Sequence, residues 1–241
     1  MAVAVREISG SLADEERRKS VYRGDLLVFE EVGPMVELCA LADDLIRFTL
    51  DTRDPARAQY EMDSDDYLSR VETLHKRFRE HEDAKRMFLA ALERAGVDLG
   101  RTFWDWLYLR VLSSGEGYAS GRAAKLGFHR DTWSSNVYSQ TNWWAPIYPI
   151  TADRTLAFYP DYWSRPLKNT SGDWNLEEVR ARRRAETYRA RPGAGRAGGH
   201  RFGTAARDPA RRPPLLLRVA PARERPERDG PRPILHRGTD G

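Results

Sequence analysis

Thr102-Phe103-Trp104-Asp105-Trp106-Leu107-Tyr108-Leu109-Arg110-Val111 is the stretch on which the fold class turns. Trp104, Trp106 and Tyr108 alternate there with Phe103, Leu107, Leu109 and Val111, so apolar side chains leave the backbone in both directions. That pattern predicts a strand covered on both faces. Upstream the period is helical instead. Val36, Leu38, Cys39, Leu41, Ala42, Leu45, Ile46 and Phe48 recur at mostly helical spacing over Met35 to Leu50, after a short apolar run Leu26-Leu27-Val28-Phe29 and the breaker Gly33-Pro34. Strand, turn and helix are expected in that order.

Arg53 to Met62 reads as a polar connection. Asp63-Ser64-Asp65 then offers N-cap chemistry to a helix whose apolar positions are Leu68, Val71, Leu74 and Phe78. A second helical stretch with Met87, Phe88, Ala91 and Leu92 closes at Gly96. Downstream of Val111, Gly115, Gly117 and Gly121 mark a loop, and further strands are expected at Ser139 to Ile147 and Thr155 to Tyr159. A helical front half followed by a strand-rich second half predicts an α+β domain, with helices packed on an antiparallel sheet or barrel.

The last 51 residues differ in kind. From Arg191 onward there are 12 Arg, no Lys and 5 acidic residues, a charge of +7, so residues 1–190 carry −3 of the total +4. The same stretch holds 8 of the 14 prolines and 8 of the 18 glycines, with no Trp or Tyr. Such a composition cannot bury enough apolar surface to offset its ordering entropy, and a disordered tail is expected over 190–241. Elsewhere the single cysteine, Cys39, excludes a disulfide framework or a multi-cysteine metal site. No apolar run reaches the ~20 residues of a bilayer span, and Met1–Gly10 lacks a signal-peptide core, so a soluble, cytoplasmic protein is expected.

Five histidines narrow the search for chemistry. His75 and His81 lie six apart on a charged helical stretch and read as solvated positions, while His200 and His236 fall in the tail. His129 remains, in Gly127-Phe128-His129-Arg130-Asp131-Thr132-Trp133. Residues two apart in an extended segment share a face, so His129 and Asp131 form two thirds of a 2-His-1-carboxylate triad, the arrangement that holds non-haem Fe(II). Taken alone, the tripeptide is weak evidence and reads first as a surface His beside a turn Asp.

The run His129-Arg130-Asp131-Thr132-Trp133, with Asn142-Trp143-Trp144-Ala145-Pro146-Ile147, Thr151-Ala152-Asp153 and Leu156-Ala157-Phe158-Tyr159-Pro160-Asp161-Tyr162, resembles the phytanoyl-CoA dioxygenase-like family of Fe(II)/2-oxoglutarate oxygenases, in particular bacterial members associated with small-molecule biosynthesis. The resemblance covers about 100–175. It implies a double-stranded β-helix (jelly-roll) core with flanking N-terminal helices. It also implies His129 and Asp131 as iron ligands, Trp143 as a wall of the 2-oxoglutarate site, and a small organic metabolite as substrate. The expected organisation is an oxygenase-like domain over 1–185, helical to about 100 and jelly-roll from about 101 to 185, incomplete at its C-terminus. Singly, Trp143 and Trp144 read equally well as core packing.

The family pattern also calls for a distal His on a late strand and, roughly ten residues on, an Arg whose fork grips the 2-oxoglutarate carboxylate. His200 and His236 fit neither place. A shifted reading frame accounts for this. Arg outnumbers Lys 35 to 5, as in a GC-rich genome, and GC-rich DNA read out of frame yields Arg, Pro, Ala and Gly, the composition of the tail. Moved one base forward, the codons permit a His in place of Ala222 and an Arg in place of Pro233, eleven residues apart, within a stretch that can spell His-Ala-Ser-Val-Pro-Asn-Gly-Thr-Gly-Arg-Ala-Arg.

Three functions compete: an Fe(II)/2-oxoglutarate-dependent oxidation of a small metabolite, a catalytically inactive truncated homologue, and nucleic-acid binding through the +7 tail. The last is disfavoured because Phe202 is the tail's only aromatic residue and acidic residues interrupt its basic runs.

Overall fold

The computed structural model describes residues 4–114, 128–135, 137–151, 155–173 and 175, with the backbone of 217–218. The chain begins with a strand β1 (Val5–Ser9), a helix α1 (Asp14–Tyr22) and a strand β2 (Leu26–Glu30). β1 and β2 pair in parallel, with Val5 opposite Leu26 and Ser9 opposite Glu30. A two-residue strand β3 (Leu217–Arg218) lies parallel on the other side of β2, giving the order β1-β2-β3. Parallel strands require a crossover connection, and α1 supplies it between β1 and β2.

Helix α2 (Gly33–Leu50) follows, with Pro34 in its first turn, where the missing N–H costs nothing. A single-turn helix α3 (Ala58–Glu61) lies within the stretch read as a polar connection. Helices α4 (Ser64–Glu80) and α5 (Glu82–Arg94) both pack on α2. Asp63 caps α4 as its chemistry predicts, its carboxylate accepting from the Asp65 N–H at 2.8 Å. The core is made of Leu27 and Phe29 of β2, Met35, Leu38, Ala42 and Ile46 of α2, Tyr67, Val71, Leu74 and Phe78 of α4, and Ala84 and Ala91 of α5. Leu68, read as a core position, is instead half outside, and Tyr67 one residue earlier takes the inward place. His75 and His81, read as solvated, are half-buried, with Nε2 of the former and Nδ1 of the latter covered. Cys39 is buried, and burial pushes its thiol up to about 11, so it stays protonated at neutral pH.

α5 ends in a Schellman motif. Val97 N–H donates to Leu92 O at 3.0 Å, and Gly96, at φ +93°, donates to Glu93 O at 2.9 Å. A Cβ on Gly96 would lie 2.0 Å from the backbone oxygen of Leu12, which itself belongs to the core. Gly96→Ala is therefore expected to cost at least the roughly 1–3 kcal/mol of a left-handed non-glycine residue. In a thermal melt that is a fall of several degrees, and a melting point equal to that of the parent would contradict this reading of the contact.

The second half differs from the expectation. Residues 102–114 form neither strand nor helix beyond the 3-10 turn Leu99–Arg101, and 139–147 and 155–159 are likewise without strand pairing. The described sheet is small and parallel, not antiparallel, and no jelly-roll is traced by the described residues. Nor is the stretch covered on both faces as expected: its side chains alternate, but only one set is buried, and Phe103, Trp104, Trp106 and Tyr108 are exposed. Leu107, Leu109, Val111 and Ser113 turn inward, while Trp106, Tyr108, Arg110 and Leu112 turn outward. Periodicity dictates which way side chains face, but a ladder needs partner strands, and in a jelly-roll these come from distant parts of the chain. The loop expected at Gly115–Gly121 lies outside the described residues, as does the tail apart from Leu217–Arg218. Among the described residues, no helix is long and apolar enough to cross a membrane.

Candidate metal centre

Residues 128–131 precede a one-turn helix α6 (Thr132–Ser135), and alternate side chains there divide their partners. Phe128 packs edge-on against Tyr159 at 5.1 Å between ring centroids. Arg130 donates to the carbonyls of Tyr162 and Arg165 and lies over the Trp133 ring. These two residues tie the segment to the Pro160–Tyr162 turn and its surroundings. His129 and Asp131, the residues between and after them, meet each other: Nε2 lies 3.4 Å from Oδ1. The backbone oxygen of Asp131 accepts from Ser134 N–H at 3.1 Å and Ser135 N–H at 3.3 Å, which fixes where its side chain starts. The expectation that residues two apart share a face holds locally, although the pair sits before a helical turn and not at a strand end.

Two donors about 2.1 Å from one divalent ion, at angles between octahedral and tetrahedral, stand roughly 3.0–3.4 Å apart. A nitrogen and an oxygen at 3.4 Å therefore fit two neighbouring positions on such an ion. The side chains are 26% and 49% exposed, so solvent and solutes reach them. No group of three or more His, Cys, Asp or Glu side chains able to hold a metal is present among the described residues.

Trp143, implied as a wall of the co-substrate site, faces the core instead. Its ring lies 5.5 Å from that of Phe29, and the Arg17 guanidinium lies 5.6 Å from its centroid. Arg17 is itself almost fully buried and held by Asp14 at 2.6 Å. The Asp14 carboxyl, though partly desolvated, is lowered by hydrogen bonds from Arg17, Arg18 and the Asp98 N–H. The neighbour of Trp143 is the residue that reaches the pair: Asn142 Nδ2 donates to Asp131 Oδ2 at 2.5 Å. Gln140 Nε2 in turn donates to Asn142 Oδ1 at 2.6 Å.

The segment carrying these amides is moored to the body at three points. Trp143 packs on Phe29, Cys39 Sγ lies 3.7 Å from Pro146 O, and Tyr148 Oη donates to Asp43 Oδ1 at 2.7 Å. Burial, with help from the Asp43 carboxylate, raises the Tyr148 phenol well above its usual range, so that donor is kept at any ordinary pH. Sequence reading missed Asn142 and Gln140 as site residues. Their only signal is two amides in the polar start of an otherwise aromatic run, eleven and nine residues after Asp131.

Compared with models of known protein families, with curated proteins and with solved structures, the chain matches none.

Proposed function

We propose that the chain is an oxygenase-type protein of the phytanoyl-CoA dioxygenase-like kind, in which His129 and Asp131 supply two protein ligands to Fe(II) and the substrate is a small organic metabolite oxidised at the expense of 2-oxoglutarate. The observation that carries this reading is the 3.4 Å approach of His129 Nε2 to Asp131 Oδ1. Bound iron would supply the oxidising chemistry, with 2-oxoglutarate and O₂ consumed and succinate and CO₂ released. The chain's own part is to hold an imidazole and a carboxylate at adjacent positions and leave the rest of the ion open. Arg130 contributes by locking the backbone between them through its bonds to 162 and 165.

The facial triad needs a third protein ligand, and the described residues provide no three-donor group. A second form of the same proposal, in which the chain as written is a metal-poor, catalytically inactive homologue, follows from the sequence, where neither His200 nor His236 fits the late position the resemblance gives the distal ligand. A reducing, cytoplasmic setting belongs to either form, because Fe(II) persists there.

Cobalt(II) serves as an air-stable probe of the pair. Titrated into the full chain, it is expected to bind weakly but measurably, and Asp131→Ala is expected to abolish that binding while leaving the melting temperature within a degree or two, because the side chain is half-exposed. Equal cobalt binding by the parent and Asp131→Ala would overturn the site.

A further inference from the structure

We infer that Asn142, oriented by Gln140, is a positioning residue for the metal centre, holding the Asp131 carboxylate so that it presents one oxygen to the ion. The inference rests on the metal reading proposed above and concerns residues that the resemblance does not assign to the site.

An ionised carboxylate can only accept hydrogen bonds. The Asn142 atom at 2.5 Å from Asp131 Oδ2 must therefore be the amide NH₂, and the carbonyl oxygen of Asn142 is turned the other way. That oxygen also only accepts, so the Gln140 atom 2.6 Å from it must be an NH₂ as well. Each link dictates the next, and the chain Gln140 to Asn142 to Asp131 has one polarity. Its end point is Oδ2, while the other carboxylate oxygen, Oδ1, is the atom facing His129 Nε2. The carboxylate is thereby biased towards single-oxygen ligation, with Oδ1 and Nε2 as neighbouring donors.

The moorings of the 137–151 segment give this relay a fixed origin. Trp143 against Phe29 and Tyr148 against Asp43 hold the backbone that follows the amides to β2 and α2, beginning at the residue next to Asn142, so the helical body positions the centre through Asn142. Outer hydrogen-bond partners of this kind typically change metal affinity by about 10–100-fold.

The test is a cobalt(II) titration of the full chain, read by calorimetry and by the visible absorption of the bound ion, on the parent, Asp131→Ala, Asn142→Ala and Gln140→Glu. Asn142→Ala is expected to raise the dissociation constant about 10–100-fold. Gln140→Glu is the sharper variant. A glutamate facing Asn142 Oδ1 can only accept, so it favours the turned-over amide, sets an oxygen against Asp131, and should weaken binding comparably and alter the cobalt spectrum. Gln140 is exposed, so this change leaves the fold intact even if Asn142→Ala does not. Parent-like affinity and spectrum in both variants, with binding still lost in Asp131→Ala, would overturn the positioning role alone. Equal binding in the parent and Asp131→Ala would overturn the metal centre and this inference with it.

Discussion

Replacing Phe29 with alanine is expected to remove about 3–5 kcal/mol of stability, the usual loss for truncating a buried aromatic ring and leaving its cavity. Phe29 is 1% exposed, lies in the strand flanked by both others, and belongs to the cluster that joins β2 to α2 and α4. It also carries the ring of Trp143, an aromatic contact worth about 0.5–1.5 kcal/mol beyond its area. Against a total of about 5–15 kcal/mol for a domain, this one change removes a large share of the stability. Leu68→Ala, at a position 39% exposed on α4, serves as the control and should cost far less. Urea unfolding of the two variants decides the matter. A loss below about 1 kcal/mol for Phe29→Ala would mean that β2 is not the floor on which the second half rests.

On the proposed reading, the chain as written should release succinate from 2-oxoglutarate at close to background. A chain whose C-terminal codons are read one base forward should release it at least about 10³ times faster. The size follows from counting interactions. A charge-assisted anchor for the co-substrate carboxylate contributes about 1.5–3 kcal/mol, or ten- to a hundredfold at 1.36 kcal/mol per decade. A missing metal ligand adds several kcal/mol through metal affinity. The readout is succinate formed per chain under saturating Fe(II), with Asp131→Ala in the shifted-frame chain as the blank. Equal rates above the blank from the two chains would show that residues of this sequence complete the centre, and equal rates at the blank would show that the shifted frame does not restore it; either outcome overturns this account of the tail.

The sequence made β2, α2, α4 and α5 legible because their buried faces are written in apolar residues at the period of the element, and because Asp63 and Gly96 punctuate them. The opening βαβ unit was not read. Helix α1 buries Arg17 and Ser20, polar residues that leave no apolar stripe to detect, and Arg17 is accommodated by Asp14 and Trp143, a partner 126 positions away. The stretch 102–111 was misread: apolar residues on both sides of the alternation predicted a strand covered on both faces, yet Phe103, Trp104, Trp106 and Tyr108 are exposed, and alternation carries no information about partner strands. The approach of His129 and Asp131 to each other, though not any role for them, was legible because residues two apart in an extended segment share a face. Asn142 was not, since its approach to Asp131 depends on how a later segment is moored to the helices.

The βαβ unit at the start of the chain bears on the order of events during synthesis. Val5 meets Leu26 after only 21 residues, and α2 finds α4 and then α5 within the next few turns of chain, so most of the front half's contacts close over short loops. Short loops cost little entropy and are made early, which lets this part consolidate while later residues are still being added. The 137–151 segment reaches β2 and α2 across more than a hundred residues, so its contacts close over long loops and are expected to form later. A change late in the coding sequence is therefore expected to spare the front half and act on the step at which the second half is laid against it.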